Sequence, residues 1–254
     1  MRQYVLPEDY DGSGSLTLRG QDFHYLTRVL RKQEGDRIDG LDSGGGRVWV
    51  LIRSVLQDSC VLEIGLPEAS NPSTAPTIVL FQCLPKGQKM DLIVRQATET
   101  GVARICPLVS DHCVPRIHAG EAPKKRDRWL RVARQAMQQS GSRSIPEVSA
   151  PTQFADIQAI WQDLSDPEDV CLFFHQEPID TTSLHSLLAE APKRVGICIG
   201  PEGGFSDGEV GKLLQLGFQP VYINTNVLRT ETAALYAIAS VQIALLEKES
   251  WNPR

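Results

Sequence analysis

The stretch RVGICIGPEGGFSDGEVGKLLQLG, residues 194–217, decides the fold class. Its opening run is apolar almost throughout, the mark of a strand buried on both faces rather than one with a solvated side. Gly200-Pro201-Glu202-Gly203-Gly204-Phe205 then turns the chain, and Ser206 with Glu209 reads as an S-x-x-E capping box. That box opens a helix which Gly217 closes. Ligands in open α/β sheets bind outside the carboxyl ends of such strands, so the loop is correctly placed for one. Gly200, Gly203 and Gly204 let the backbone approach a ligand closely. On spacing alone, GPEGG is equally compatible with a plain tight turn. The loop lacks the G-K-[ST] of a Walker loop and the spacing of G-x-G-x-x-G, which leaves phosphate cradling and NAD binding unsupported.

The same alternation extends outward in both directions. TIVLFQCL (77–84), ARICPLVS (103–110) and DVCLFF (169–174) read as buried strands. MDLIVRQATET (90–100), closed by Gly101, and KKRDRWLRVARQAMQQS (124–140) read as helices, the second with Trp129, Val132, Ala133, Ala136 and Met137 along one side. Strands apolar along their length and alternating with helices predict a mostly parallel sheet with helices on both faces. Residues 1–70 differ. RVWVLIRSVL and SCVLEIGL, separated from their neighbours by turn clusters such as DSGGG, predict a small β domain. It holds one short helix around Asp22 to Leu30, with Phe23, Leu26, Val29 and Leu30 on a face. PEASNPSTAP (67–76) is the natural linker, which predicts domains at 1–72 and 73–254.

The segment VYINTNVLRTETAALYAIASVQIALLEKE (221–249) predicts a short strand, a polar loop and a long helix striped by Ala234, Ile238, Val241 and Leu245. Thr230 can cap that helix, and Glu231 suits its first turn electrostatically. Arg229 has no such structural account. A cation at a helix start faces the unfavourable end of the dipole, which points to an anionic or polar partner.

The chain has 254 residues and a formal net charge of −5. Residues 145–192 hold nine Asp or Glu and no Lys or Arg, so the remainder carries 26 basic and 22 acidic side chains. A protein polarised in this way can offer a basic face to nucleic acid. Three basic groups stand beside loops or helix ends: His24, Arg28, Arg31 and Lys32; Lys86 and Lys89; and Lys124, Arg128 and Arg131. Each alone is an ordinary solvated face, but together they favour phosphate contacts. The six cysteines form no C-x-x-C pair and most lie in apolar runs, which predicts buried free thiols, a reducing cytoplasm and no metal site. No apolar run reaches the length of a membrane span, and MRQYVLPEDYDGSG lacks the apolar region of a signal peptide.

HYLTRVLR (24–31), KGQKMDLIVRQATETGV (86–102), RWLRVARQAMQQS (128–140), IGPEGGFSDGEV (199–210) and LRTETAAL (228–235) stand in the order seen in one protein family. Across nearly its whole length the sequence resembles the RsmE-type 16S rRNA (uracil-N3)-methyltransferases of the SPOUT superfamily. The resemblance implies a PUA-like β-barrel followed by an α/β SPOUT domain with a C-terminal trefoil knot. It implies S-adenosylmethionine as cofactor, a homodimer, and 16S rRNA or the assembled 30S subunit as partner. Carried over by motif, the cofactor site comprises Phe174, His175, Ile199, Gly200, Glu202, Gly203, Gly204, Asn224, Leu228, Arg229 and Thr230. Arg31, Lys86 and the 124–143 region would face RNA. The chain departs from the family pattern at Gln96, His112, Asn224, Asn226 and around Arg143.

Methylating N3 of uracil requires loss of a weakly acidic imide proton and stabilisation of the charge spread over O2, N3 and O4. Arg229 or Arg143 is the expected donor to a uracil carbonyl, and Glu99 or Glu231 the candidate base. Ordinary helix-end roles account equally for both glutamates. Two other readings stay open: a SPOUT methyltransferase acting on another RNA, and a non-catalytic RNA-binding protein of the same fold.

Overall fold

The computed structural model describes residues 4–7, 10–42, 46–66, 76–118, 120–140, 142, 144–180, 182–223 and 225–250. They group into two compact units, Met1–Ser73 with Met137–Ser144, and Thr74–Ala136 with Ile145–Arg254. The expected linker at 67–76 falls almost wholly outside the described residues.

The first unit is a five-stranded mixed sheet of β1 (Tyr4–Val5), β2 (Ser15–Arg19), β3 (Arg37–Leu41), β4 (Arg47–Val55) and β5 (Ser59–Gly65). They lie in the order β1-β3-β4-β5-β2, antiparallel except for β1 against β3. One face is buried with period two, through Val48, Val50 and Ile52 on β4 and Cys60, Leu62 and Ile64 on β5. Between β2 and β3 the helix α1 (Gly20–His24) continues into a π-helical turn, Tyr25–Val29. Phe23 and Leu26 are buried as their spacing predicts, but Val29 is 53% exposed. The wider π winding carries Val29 off the face that an α-helical period assigns to it.

The second unit is an all-parallel seven-stranded sheet. It contains β6 (Thr77–Cys83), β7 (Arg104–Val109), β8 (Glu147–Val148), β9 (Thr152–Gln153), β10 (Val170–His175), β11 (Arg194–Ile199) and β12 (Gln219–Tyr222). The order is β12-β10-β11-β6-β7-β8, with β9 also pairing β7. Along β6 and β11 all residues but the first are buried, so both faces of the sheet are covered. The helices are α2 (Lys89–Glu99), α3 (Ala122–Ser140), α4 (Ile157–Leu164), α5 (Leu184–Leu187), α6 (Asp207–Gln215) and α7 (Thr230–Ser250). The stripe expected on α7 is buried at Ala234, Ile238, Val241 and Leu245, and on α3 Trp129, Ala133, Ala136 and Met137 are buried. Gly101 and Gly217 adopt the left-handed conformation (φ 79° at each) expected just beyond α2 and α6. Because every strand runs the same way, the loops after β6, β7, β10, β11 and β12 all open at one edge of the sheet.

All six cysteines are free and buried. Burial pushes the thiols of Cys83, Cys171 and Cys198 well above the ordinary range, which removes them as nucleophiles. Among the described residues no helix is long and apolar enough to cross a membrane, and no His/Cys/Asp/Glu group could hold a metal ion.

Candidate active site

The glycine loop after β11 is held from both ends. The capping box forms as its spacing predicts: Ser206 Oγ accepts the Glu209 N–H at 3.3 Å and the Glu209 carboxylate accepts the Ser206 N–H at 2.9 Å. Glu209 is nearly buried, and its other oxygen accepts the N–H of Asp111 at 2.9 Å, while Ser206 Oγ donates to the Asp111 carboxylate at 2.6 Å. The β7 loop is thereby tied to the β11 loop. His112 adds a second tie, its Nδ1 lying 3.1 and 3.2 Å from the carbonyls of Gly203 and Gly204. Since carbonyls only accept, that nitrogen carries the proton.

A cavity of about 330 Å³ opens where the β10, β11 and β12 loops meet. Its apolar lining includes Phe174, Ile199, Phe205, Ile223 and Leu228, and Glu202 supplies a carboxylate. Behind it, buried Gln82 of β6 donates from Nε2 to Thr230 Oγ1 at 3.0 Å, and Thr230 Oγ1 donates to the Gly200 carbonyl at 2.7 Å. At the cavity edge Lys89 Nζ lies 2.8 Å from Glu202 and 3.2 Å from Glu231. Burial pushes the Glu202 carboxyl up, but the Lys89 hydrogen bond, with backbone N–H donation including that of Lys86, holds it below its ordinary value. Lys89 is pushed up, first by the hydrogen bond to Glu202.

Known proteins resemble the chain over these same regions. The model of the RNA methyltransferase domain matches residues 72–242, and that of the RNA methyltransferase PUA domain matches 18–51. A ribosomal RNA small subunit methyltransferase E of Synechocystis sp. is 32% identical, over 97% of this chain and 78% of that protein. The chain belongs to the ribosomal RNA small subunit methyltransferase E family. The Bacillus subtilis protein of the same name is 28% identical over 95% of this chain and 96% of its own length. A crystal structure of a ribosomal RNA small subunit methyltransferase E from Neisseria gonorrhoeae, bound to S-adenosylmethionine, superposes with a TM-score of 0.77 at 25% identity. It covers 96% of this chain and 97% of that one.

In this family member the cavity brings together Phe174, His175, Ile199, Gly200, Glu202, Gly204, Leu228, Arg229 and Thr230 of the expected cofactor set. Gly203 is not in the lining. A Cβ there would stand 3.0 Å from His112 Cβ, so its lack of a side chain serves the contact with His112. Asn224 and Arg143 lie outside the described residues. Arg229 is exposed at the cavity, and among the described residues no partner is found for its guanidinium. The partner expected from its place beside a helix start is therefore not supplied by the described part of the chain.

Two expected bases are displaced. Glu231 does not line the cavity; it is almost buried and its carboxylate is committed to Lys89. Glu99 ends α2 while Lys89 begins it, so roughly 15 Å of helix separates Glu99 from the cavity edge. The basic groups also separate. Lys89 is consumed by the two glutamates rather than left on a surface, and Arg128 pairs with Asp91 of α2 at 2.5 Å. Lys124, Arg131 and the side chain of Lys86 are exposed, and in the first unit so are His24, Arg28 and Arg31. Pro201, Phe205, Ile223, Thr225, Asn226 and Val227 lie in the two loops that the motifs mark but are not among the expected cofactor residues, and Gln82, Asp111 and Gln176 are not expected at the site at all. Of the last three, Gln82 left a signal, as a lone amide inside the apolar run TIVLFQCL.

Proposed function

We propose that this protein transfers a methyl group from S-adenosylmethionine to N3 of a specific uridine in the 16S rRNA of the small ribosomal subunit, in the cytoplasm. The carrying observation is the cavity at the carboxyl edge of the parallel sheet, built from the glycine loop and the segment before α7. Family membership supports the reaction class, and the S-adenosylmethionine bound in the Neisseria gonorrhoeae relative supports the cofactor.

The residues present fit that cofactor. The cavity volume lies in the range of small-molecule sites, the apolar walls suit a ring system, and the Glu202 carboxylate suits a cation. The cavity-lining segments at 199–202, 204–205 and 225–229 carry backbone hydrogen-bonding groups, with Phe174, His175 and Thr230 completing the walls. When bound, S-adenosylmethionine supplies an electrophilic sulfonium methyl group. Arg229 donates to a uracil carbonyl and stabilises the charge that develops over O2, N3 and O4 as the imide proton leaves. Glu231, paired with Lys89 and outside the cavity lining, and Glu99, at the far end of α2, are both less well placed than Arg229 to meet the uracil ring.

Three finer features belong to the same proposal. The chain leaves β12 at one edge of the sheet and passes the ends of β10 and β11 to reach Gln82 of β6, a crossing that supports the trefoil knot of a SPOUT domain. The N-terminal module at 1–72, whose PUA match spans 18–51, is a PUA-like barrel that holds RNA through His24, Arg28 and Arg31. Lys86, Lys124, Arg128 and Arg131 contact RNA from the module at 73–254. Exposed Tyr236, Ile243 and Leu246 share one face of α7 and support a homodimer.

The test is methyl transfer from labelled S-adenosylmethionine to 30S subunits and to naked 16S rRNA, followed by nucleoside analysis. The expected product is 3-methyluridine. Cofactor binding without transfer to either substrate would sink the choice of substrate, and no cofactor binding would sink the enzyme reading.

A further inference from the structure

Lys89 opens α2, where a cation faces the positive end of the helix dipole and needs an anionic partner. It has two, one in the cavity lining and one in α7 next to the lining residue Thr230. Glu202 lies in the glycine loop, with Oε1 2.8 Å from Lys89 Nζ; Glu231 lies in the first turn of α7, 3.2 Å away. Both Glu202 oxygens also accept the Lys86 N–H at 3.2 Å, so the chain at 86–89 grips the glycine loop by backbone and side chain together. Glu231 Oε2 is buried without hydrogen-bond geometry to any described donor, which leaves the Lys89 ammonium as its charge partner.

We infer that Lys89 is a positioning residue for the cofactor cavity, fixing the glycine loop against the start of α7. The inference rests on the functional reading above. Two carboxylates within reach of one ammonium repel each other when it is removed, and each is attached to a wall of the cavity. Without Lys89 those walls separate, and a ligand held between them loses its grip. The role differs in kind from the phosphate contact that a surface lysine in a basic loop suggests.

The two roles part in a binding experiment on the full chain without RNA. Titration with S-adenosylmethionine is expected to show affinity roughly tenfold weaker in Lys89→Met, with Lys89→Arg close to the wild type. Glu231→Gln, which leaves the Lys89–Glu202 pair intact, is expected to lose less than Lys89→Met. In steady-state transfer the KM for the cofactor rises in Lys89→Met while the KM for RNA and its salt dependence stay unchanged. Unaltered cofactor affinity in Lys89→Met would overturn the inference. So would a raised KM for RNA with a salt slope smaller by about one, the signature of a lost phosphate contact. If Lys89→Met fails to fold, as its thermal unfolding would reveal, Lys89→Arg and Glu231→Gln carry the test. A wild-type chain that binds no S-adenosylmethionine overturns the functional reading itself, a result distinguishable from failure at Lys89.

Discussion

Gln82 and Thr230 stand 148 residues apart and share a buried hydrogen bond, Nε2 to Oγ1 at 3.0 Å. The same threonine hydroxyl donates to the Gly200 carbonyl at 2.7 Å, so a strand, the glycine loop and the start of the last helix meet at one oxygen. Thr230→Val removes that oxygen and leaves the buried Gln82 amide short of a partner. The expected cost is about 1–3 kcal/mol of stability, together with weaker cofactor binding, read by denaturant unfolding and calorimetric titration.

Arg229 lies beside the cavity with its guanidinium unpaired among the described residues. Removing a donor to the developing uracil charge lowers turnover more than it lowers binding. Arg229→Ala is expected to reduce kcat by roughly 10²–10³-fold, with a smaller change in cofactor affinity. Equal losses in both would reassign the residue to holding the cofactor.

Ser206 is both the cap of α6 and a donor to Asp111. Ser206→Ala is expected to lower stability by about 1 kcal/mol or somewhat more, measured by urea unfolding, since two contacts are lost together. Cofactor affinity should fall with it, because the same cap anchors the end of the glycine loop.

The Glu202 carboxyl is held below its ordinary value in the folded protein, with the Lys89 ammonium as its charged partner, the Lys86 N–H donating to it, and Glu231 sharing the same lysine. A depressed carboxylate contributes above its unfolded pKa and loses that contribution as pH falls through the folded value. Cofactor affinity is therefore expected to stay flat near neutrality and weaken in acid. In Lys89→Met the upward push of burial acts without the lysine to oppose it, and the decline should begin at a higher pH. Coincident pH profiles for the two proteins would show that Lys89 does not set the ionisation of Glu202.

On α7, Tyr236, Ile243 and Leu246 are exposed on one face. A charge at the middle of that face opposes any partner that covers it. Ile243→Asp is expected to shift the protein from dimer to monomer in sedimentation equilibrium without unfolding it. An unchanged mass would place the dimer surface elsewhere.

The residues that reading along the chain located well are those whose signal is local. The β11 strand, the capping box and Gly217 lie within 24 consecutive residues and were legible because burial on both faces, an i to i+3 side-chain exchange and a left-handed glycine each act within a turn or two. The basic residues show the limit. Lys86, Lys89 and Arg128 look alike as sequence, yet Lys89 pairs with carboxylates 113 and more residues away and Arg128 with Asp91, while the Lys86 side chain remains exposed.

By itself, then, the sequence determined the α/β class, the apolar strands β6, β7, β10 and β11, the helices α2, α3, α6 and α7, the glycine loop as the place for a ligand, and family membership through its motifs. The tertiary structure alone decided which side chains meet: Gln82 with Thr230, Asp111 with Glu209, and Lys89 with Glu202 and Glu231. The physical reason lies in the strand order. The arrangement β12-β10-β11-β6-β7 gathers loops from distant parts of the chain at one edge of the sheet. Hydrogen bonds and ion pairs form there by proximity in space, and their partners leave no periodic trace along the chain.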